Sequence, residues 1–381
     1  MIDEIRSLFY NKFSSKGAMY AAPGRVNLIG EHTDYNNGFV LPGAINKSVI
    51  LEIAPNYNEH YNIFAADLEQ EITFEANGQK SDLSWANYII GVVMEMKERG
   101  FTAPGFDCVF RGNIPRGGGM SSSAALESAF AFAINDMNHF NISKKELAKI
   151  GQMTEHNYAG VRCGIMDQFA SLHGEKEKLI RLDCRSLEYE MIPFRPQGYK
   201  LLLIDTRVKH ALANSEYNVR RAQCEEGVAI IQKSHPEAES LRDVSEVMLN
   251  KSKEKLSPVV FQRCLYVIQE NERLMRACEA LKQDDFISFG KEMFRSHDGL
   301  SKQYEVSCDR LDFLVEFARN FPGVAGARMM GGGFGGCTIN LISAKEYQSF
   351  MKSTTAAFEK QFGKKPFYYE VSIENGARKI G

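Results

Sequence analysis

The sequence predicts a soluble protein of two domains, each built from mixed helices and strands. Its 381 residues exceed what one hydrophobic core usually serves. Hydrophobic residues make up 44% and charged residues 25% of the chain, which excludes disordered, collagen-like and coiled-coil proteins. The first half alternates strand-like and helix-like stretches, whereas long helix-like stretches dominate the second half.

The first half begins with a hairpin signal and a strand. Residues 19–42 contain two extended stretches joined by an Asn-Asn-Gly run at 36–38. Because Asn-Gly favours tight hairpin turns, we expect the two stretches to pair with each other. Residues 105–111 form a further predicted strand, which leads into a cluster of glycines.

Two helices are predicted after the glycine cluster. A helix pattern begins at Ser121, with apolar residues recurring at helical spacing from Leu126 onward. Ser143 and Glu146 form a capping box for the next helix, which should end near Gly160.

The second half is predicted to be mostly helical. Residues 179–194 read as strands, and Pro193 to Pro196 is a candidate boundary, so we expect domains at 1–194 and 195–381. The last fifteen or so residues could pack back on the first domain. A short buried strand at 199–206 is followed by predicted helices at about 216–233, 259–282 and 285–302 and extended stretches at 324–342 and 366–373.

Charge, termini and cysteines narrow the class of protein. Lys and Arg number 46 and Asp and Glu 48, so no global basic field attracts nucleic acid. The first residues carry Asp3 and Glu4 without an apolar run, unlike a signal peptide, and no stretch is long enough to cross a bilayer. The eight cysteines are scattered without a CxxC pair. We therefore expect a cytoplasmic protein with reduced thiols and no membrane or nucleic-acid partner.

A glycine and serine loop at 117–123 predicts a phosphate site. Three glycines, Met120 and three serines connect the strand at 105–111 to the helix that follows. Glycines allow close backbone approach, the helix N-terminus offers free N–H groups, and a serine hydroxyl can bind Mg²⁺. The alternative is a tight turn followed by a serine that caps the helix, but such a turn would not require three glycines and three serines. The chain lacks GxxxxGK[ST], so this is not a Walker loop.

A second glycine run at 331–336 contains GxGxxG, the dinucleotide-binding fingerprint. A strand-like stretch follows it, where the dinucleotide fold requires a helix. We therefore reject NAD binding. The run is interpreted as a bend between strands, whose backbone could close over a ligand between the domains.

Glu31-His32-Thr33-Asp34 places two carboxylates and an imidazole within four residues. These groups commonly bind the hydroxyls of a sugar, but the same run suits a solvated loop equally well. For the nearby Arg25, the simpler role is a surface or interdomain ion pair.

Three further residues are candidates with simpler explanations. Glu155 lies near a predicted helix end, where its charge opposes the helix dipole and favours a cation. Asp167 precedes a short helix and could be its N-cap. Trp85, the single tryptophan, could anchor the core or stack on a flat ring.

These motifs resemble those of a known family. GRVNLIGEHTDYN at 24–36 resembles the signature of galactokinases. IPRGGGMSSSAALE at 114–127 and GGGFGGCTINL at 331–341 resemble motifs shared by galactokinase, homoserine kinase, mevalonate kinase and phosphomevalonate kinase, the GHMP kinases. The resemblance extends along essentially the whole chain through matches at 163–169, 183–188, 215–226 and 296–312.

The resemblance implies an α+β fold of two GHMP-kinase domains, each a mixed or antiparallel sheet with helices, with the active site in the cleft between them. It implies ATP-dependent phosphorylation of galactose at its C1 hydroxyl, giving galactose 1-phosphate and ADP, the first committed step of galactose catabolism. Mg²⁺ is the implied cofactor, galactose and ATP are the partners, and we expect a monomer.

The resemblance also implies roles by motif position. Asp167 and Arg25 match the catalytic pair. The residues that match sugar-binding positions are Glu31, His32, Asp34, Gly164, Asp167 and Tyr217. Those expected to bind the nucleotide are Gly117, Gly118, Gly119, Met120, Ser121, Ser122 and Ser123, with Trp85 near the adenine. Ser122 and Glu155 match the Mg²⁺ ligands.

Some positions depart from the family pattern. Arg116 and Arg162 replace an apolar residue and a proline, and Met120 replaces leucine, which is a mild packing change. An N-acetylgalactosamine or arabinose kinase is the alternative enzyme, but Thr33 favours galactose. A galactose-dependent regulator without kinase activity is the other alternative, but such proteins have a shortened serine loop, and here it is complete.

Overall fold

The computed structural model describes residues 1–115, 117–208 and 213–380, with the backbone alone at 213–215. Its helices are α1 (Ile2–Phe13), α2 (Ser84–Glu98), α3 (Ser122–Met137), α4 (Lys144–Thr154), α5 (Met166–His173), α6 (Ala213–Ile231), α7 (Glu246–Lys251), α8 (Pro258–Lys282), α9 (Phe286–Lys302), α10 (Asp309–Arg319) and α11 (Tyr347–Phe362). Its strands are β1 (Ala18–Asn27), β2 (Phe39–Val40), β3 (Pro42–Pro55), β4 (Tyr61–Ala65), β5 (Gln70–Phe74), β6 (Phe106–Gly112), β7 (Lys178–Asp183), β8 (Tyr189–Pro193), β9 (Tyr199–Asp205), β10 (Val324–Met329), β11 (Cys337–Ser343), β12 (Phe367–Val371) and β13 (Arg378–Lys379).

Within these described ranges the strands form three sheets. The first has the order β13-β1-β3-β6-β4-β5. It is mixed, because β4 and β6 are parallel while the other neighbouring strands in this sheet are antiparallel. The second, β10-β11-β9-β12, is antiparallel throughout, and β2-β7-β8 forms a small third sheet. Helices pack against these sheets, so the predicted mixed class is confirmed.

The two halves of the chain share a hydrophobic core. Phe130 of α3 and Phe169 of α5 belong to the same buried cluster as Leu203 of β9 and Ile339 of β11. The end of the chain returns to the first sheet, where β13 pairs with β1. A separate cluster surrounds α6 and α8.

The predicted pairing of the two stretches is confirmed, because β1 lies antiparallel to β3 with Asn27 opposite Pro42, and Leu41 forms backbone hydrogen bonds with Leu28 and Ile29. The tight turn predicted at 36–38 is wrong, because these residues belong to a longer connection in which β2 pairs with β7. Asn37 does adopt the left-handed conformation, with φ of 56°, but it ends a short 3₁₀ turn. This connection contacts α8, where the side-chain oxygen of Asn271 accepts the Phe39 N–H at 2.9 Å. The local turn signal therefore marks a left-handed residue within a longer connection that a distant helix supports.

No helix in the described part of the chain is long and apolar enough to cross a membrane.

Candidate active site

A cavity of about 650 Å³ lies where four loops meet. It is lined by the loop at 117–123, the 31–34 segment, the start of α5 and the glycine run at 331–336. The first three belong to the first half of the chain, and the glycine run joins β10 to β11 of the second sheet. The 31–34 segment and the glycine run at 331–336, about 300 residues apart in the sequence, therefore line the same cavity.

The loop at 117–123 connects β6 to α3. Gly117 and Gly119 have positive φ angles of 77° and 71°, and Ser121, the N-cap of α3, has a φ of 54°. α3 begins at Ser122, as the helix pattern predicted, so the free N–H groups of its first turn border the cavity. The positive end of the helix dipole lies at the same place, which suits a phosphate.

The glycine run at 331–336 lies against this loop. A Cβ on Gly331 would come within 3.5 Å of the Cα of Gly119, and one on Gly336 within 3.7 Å of the Gly117 carbonyl oxygen. The run is followed by β11, which confirms the predicted strand and the bend between strands. The two glycine-rich backbones therefore pack directly against each other, beside the cavity that both line.

Asp167 is held by Arg25 and Ser121. The Arg25 guanidinium binds both carboxylate oxygens, with Nε to Oδ1 at 2.8 Å and Nη2 to Oδ2 at 2.9 Å. The Ser121 hydroxyl also donates to Oδ2. Arg25 is buried on β1 and also donates to the Gly119 carbonyl oxygen, so it joins the carboxylate to the glycine loop rather than forming a surface pair. Burial opposes the charge on Arg25, but the nearby carboxylate of Asp167 outweighs it and raises the arginine pKa.

The interpretation of Asp167 as a helix N-cap is wrong. α5 starts at Met166 with Ile165 as its N-cap residue, which places Asp167 within the first turn. Its carboxylate is therefore not used to cap the helix, and it points into the cavity with about 30% of its side chain exposed.

Glu31, His32 and Thr33 are buried and Asp34 is partly buried, so the 31–34 segment is not a solvated loop. Glu31 pairs with Arg328 at 2.6 Å, and Nδ1 of His32 is 2.8 Å from the Tyr35 hydroxyl. Both line the cavity with Asp34, whereas the Thr33 hydroxyl is bound to the Gly30 and Phe39 carbonyl oxygens. Thr33 therefore braces the loop.

Burial changes the protonation of this segment. It lowers the pKa of His32 to about 3, which leaves the imidazole neutral at pH 7. Burial raises the pKa of Asp34 to about 7, and the negative charge of Asp167 adds to this rise. Gly164 lies directly against Asp34, because a Cβ on that glycine would be 2.0 Å from Oδ2. Tyr217 lies on the other side, with its ring centroid 5.4 Å from that of His32.

Glu155 lies where α4 ends, as predicted. It follows Thr154 and begins a π-helical turn that closes at Gly160 in the left-handed conformation. Burial raises its pKa to about 7, while a hydrogen bond with the Ser123 side chain opposes the rise. Among the described residues no basic side chain pairs with this carboxyl, so a cation would relieve its desolvation.

Trp85 and Gly118 do not belong to the residues that line the cavity. The Trp85 indole N–H donates to Gln70, and its ring packs near Phe110. Tyr88, one helical turn later on α2, reaches the cavity instead. Arg116 lies outside the described residues, and the carbonyl oxygen of Arg162 accepts a hydrogen bond from Arg221.

Sequence reasoning missed Tyr88 and Arg328. Arg328 is completely buried on β10, just before the glycine run. An arginine within a strand usually indicates an exposed position, and nothing local shows that its partner is Glu31, 297 residues away.

Comparisons with known proteins identify the family. The galactokinase galactose-binding signature matches residues 7–55, and the N-terminal and C-terminal domains of GHMP kinases match residues 87–175 and 277–354. Galactokinase from Thermotoga maritima is 40% identical over 359 residues, which is 94% of this chain and 99% of that protein. The chain belongs to the galactokinase family. The family predicted from the motifs is thereby confirmed.

Other galactokinases match over the whole length. The Clostridium beijerinckii galactokinase is 37% identical over all of this chain and 99% of that protein. The structure of Lactococcus lactis galactokinase complexed with galactose has a TM-score of 0.95 and 32% identity, covering all of both chains. Methanococcus jannaschii mevalonate kinase has a TM-score of 0.67 at 19% identity over 95% of this chain and 99% of that one, which shows a shared fold.

Proposed function

We propose that this member of the galactokinase family transfers the terminal phosphoryl group of ATP to the C1 hydroxyl of galactose. The observation that carries the proposal is the carboxylate of Asp167, held by Arg25 and Ser121 between the loop at 117–123 and the 31–34 segment. The galactokinases that this chain resembles supply the choice of sugar.

Asp167 is proposed to accept the proton of the attacking hydroxyl. A general base must have its carboxylate free on the substrate side and fixed on the other, and Arg25 provides the fixed side with two hydrogen bonds. The same guanidinium adds positive charge beside the transferring group. Phosphoryl transfer depends mainly on such alignment and charge neutralisation, and little covalent work is required of the protein.

The loop at 117–123 is proposed to hold the triphosphate. Backbone N–H groups at the start of α3 face the cavity, and Gly117 borders open space, because a Cβ at that position would meet nothing within 4 Å. Met120 is buried and fixes the loop, with its carbonyl oxygen accepting the Arg25 N–H at 3.2 Å. Trp85 remains a predicted neighbour of the adenine.

Ser122 and Glu155 fit a magnesium ion. Both line the cavity, and the buried Glu155 carboxyl lacks a basic partner among the described residues. No cluster of three or more His, Cys, Asp or Glu in the described chain could hold a metal alone, so the ion would share its ligands with phosphate oxygens, as Mg²⁺ usually does. When bound, Mg²⁺ would neutralise charge on the phosphates. The serine and the carboxylate would hold it at the mouth of the loop.

The sugar is proposed to bind Glu31, His32, Asp34, Gly164 and Tyr217, next to Asp167. Buried carboxylates and a neutral imidazole satisfy hydroxyl groups that would otherwise lose their bonds to water. The side chains of the first half meet Tyr217 of α6, so the sugar would contact both halves.

We also propose that residues 1–194 and 195–381 are the two domains, acting as a cytoplasmic monomer. The first sheet draws all its strands from the first part except β13, and the second sheet draws all of its strands from the second part. Sedimentation equilibrium would test the monomer.

The test measures ADP release with ATP and Mg²⁺, using galactose, glucose, N-acetylgalactosamine and arabinose in turn. Turnover with galactose should fall at least about a hundredfold in Asp167→Asn, because the amide cannot accept the proton. The matched control is Asp298→Asn, a surface aspartate outside the cavity lining. Turnover with only one of the other sugars would show that this sugar, and not galactose, is the substrate. Absence of turnover, with galactose-dependent thermal stabilisation in the presence of ATP, would indicate the regulator.

A further inference from the structure

Arg328 is the largest of the fully buried side chains among the described residues. Its guanidinium crosses from β10 to the segment that follows β1 in the first half. Nε donates to the Leu28 carbonyl oxygen at 2.8 Å, and Nη2 donates to the Asn27 carbonyl oxygen at 2.5 Å and to Oε2 of Glu31 at 2.6 Å. Nη1 donates to its neighbour, the Met329 carbonyl oxygen, at 2.8 Å. One side chain therefore binds three residues at the entry to the 31–34 segment.

The hydrogen bond from Arg328 gives the two carboxylate oxygens of Glu31 different surroundings. Oε2 is occupied by Arg328, so Oε1 is the atom left to accept a hydrogen bond from the cavity that Glu31 lines. The backbone around Glu31 is fixed as well. The Tyr266 hydroxyl donates to the Glu31 carbonyl oxygen at 2.9 Å, and Glu270 accepts the N–H of the preceding Gly30 at 3.0 Å. A rotation of the carboxylate would break a charge-assisted bond in a dry environment.

We propose that Arg328 is a positioning residue that fixes Glu31 as a hydrogen-bond acceptor for one hydroxyl of the sugar. The inference rests on the proposed function. A planar guanidinium can bind the carboxylate and two carbonyl oxygens together, which the single ammonium of lysine cannot do in the same geometry. Arg328 lies on β10, shortly before Met330 and the glycine run, which line the cavity.

The first test is a double-mutant cycle between Arg328→Lys and Glu31→Ala, read as KM and kcat. Turnover of galactose by the unchanged protein is measured first, and its absence would contradict the proposed function rather than this inference. Arg328→Lys should raise the KM for galactose about tenfold or more, with kcat and the KM for ATP changed less than about twofold. In the Glu31→Ala background, which lacks the side chain that Arg328 holds, the same change should add less than about twofold.

Additive effects on the galactose KM, or an equal rise in the KM for ATP, would overturn the inference. Arg263→Lys is the matched control. Arg263 is also buried and pairs with a carboxylate, Glu305, at 2.5 Å, but it lies outside the cavity lining. This control should lower the melting temperature without raising the galactose KM.

A second test needs only Glu31→Gln, in case Arg328→Lys fails to fold. It uses galactoses in which one hydroxyl other than that at C1 is replaced by fluorine, which cannot donate a hydrogen bond. The unchanged protein should discriminate against the sugar fluorinated at the position Glu31 binds. Because Arg328 would hold the amide oxygen, Glu31→Gln presents an N–H to the fluorine and should reduce this discrimination at least about fivefold for that sugar alone. Unchanged discrimination across the series would refute the inference.

Discussion

The carboxyl of Asp34 should make the folded protein less stable as the pH rises. Burial and the charge of Asp167 raise its pKa from 3.8 to about 7. The folded state therefore binds this proton more tightly than the unfolded state does. That contribution to stability is complete below about pH 4 and is lost as the pH rises to about 7.

Asp34→Asn removes this penalty, and its size follows from the shift. A rise of about 3 pKa units corresponds to about 4 kcal/mol when the carboxyl is ionised in both states, and to about 2 kcal/mol at pH 5. Because Asp34 keeps part of its surface on the cavity, these are upper values. The variant should therefore gain up to about 4 kcal/mol of unfolding free energy at pH 8 and about half of that at pH 5.

The assay is urea unfolding of both proteins at pH 5 and pH 8, with Asp298→Asn as the control. Asp298 is a partly exposed surface residue in ion pairs, which typically contribute under about 1 kcal/mol. The same Asp34→Asn variant should bind galactose more weakly, so greater stability accompanies poorer function. An equal gain at both pH values, or a loss at pH 8, would refute the argument that the buried charge is unfavourable.

Three further changes test other parts of the cavity. Gly164→Ala should raise the galactose KM at least about tenfold and leave the ATP KM unchanged in steady-state assays, because a Cβ would overlap Asp34; an unchanged galactose KM would contradict this packing. Arg25→Lys should lower kcat about 10- to 100-fold, since one of two hydrogen bonds to Asp167 is lost, and a kcat within about twofold of the original would exclude that role. Glu155→Gln should raise the Mg²⁺ concentration needed for half-maximal ADP release about 10-fold or more, and an unchanged requirement would remove Glu155 as a ligand.

The sequence predicted those features that depend on neighbouring residues. The helix that begins beside Ser121, the helix end at Glu155 and the bend at 331–336 each follow from capping, periodicity and glycine content within a few residues. The pairing of the stretches on either side of 36–38 was also predicted, but the tight turn between them was not found, and the longer connection there contacts α8, more than two hundred residues later. Local patterns indicate the helices, strands and bends. How these elements and their connections contact one another depends on residues that are distant in the chain, which local patterns do not reveal.

The same distinction holds within the site. The motifs identified Glu31 and Asp167 as candidates, but their spacing alone left the 31–34 segment equally compatible with a solvated loop. The structure resolves that ambiguity through residues distant in sequence: Arg328 binds Glu31, and Arg25 binds Asp167. The chemical types were visible in the sequence, and the partners that orient them were not.

The acidic groups of the cavity also indicate how its ligands should affect stability. Burial raises the pKa of Asp34 and Glu155, which line the cavity, and of the fully buried Glu127, which lies outside the lining, and the charge of Asp167 adds to the rise in each of them. Arg25 already binds Asp167, and among the described residues it does not form an ion pair with the other three. The protein without ligands thus holds several carboxyls in surroundings that disfavour their ionised form. Ligands that interact with these carboxylates can reduce that cost. A cation at Glu155 and hydroxyl donors at Asp34 each supply the missing interaction. Mg²⁺ with ATP and galactose should therefore raise the melting temperature more at pH 8 than at pH 5, since at pH 5 protons already satisfy part of the same need.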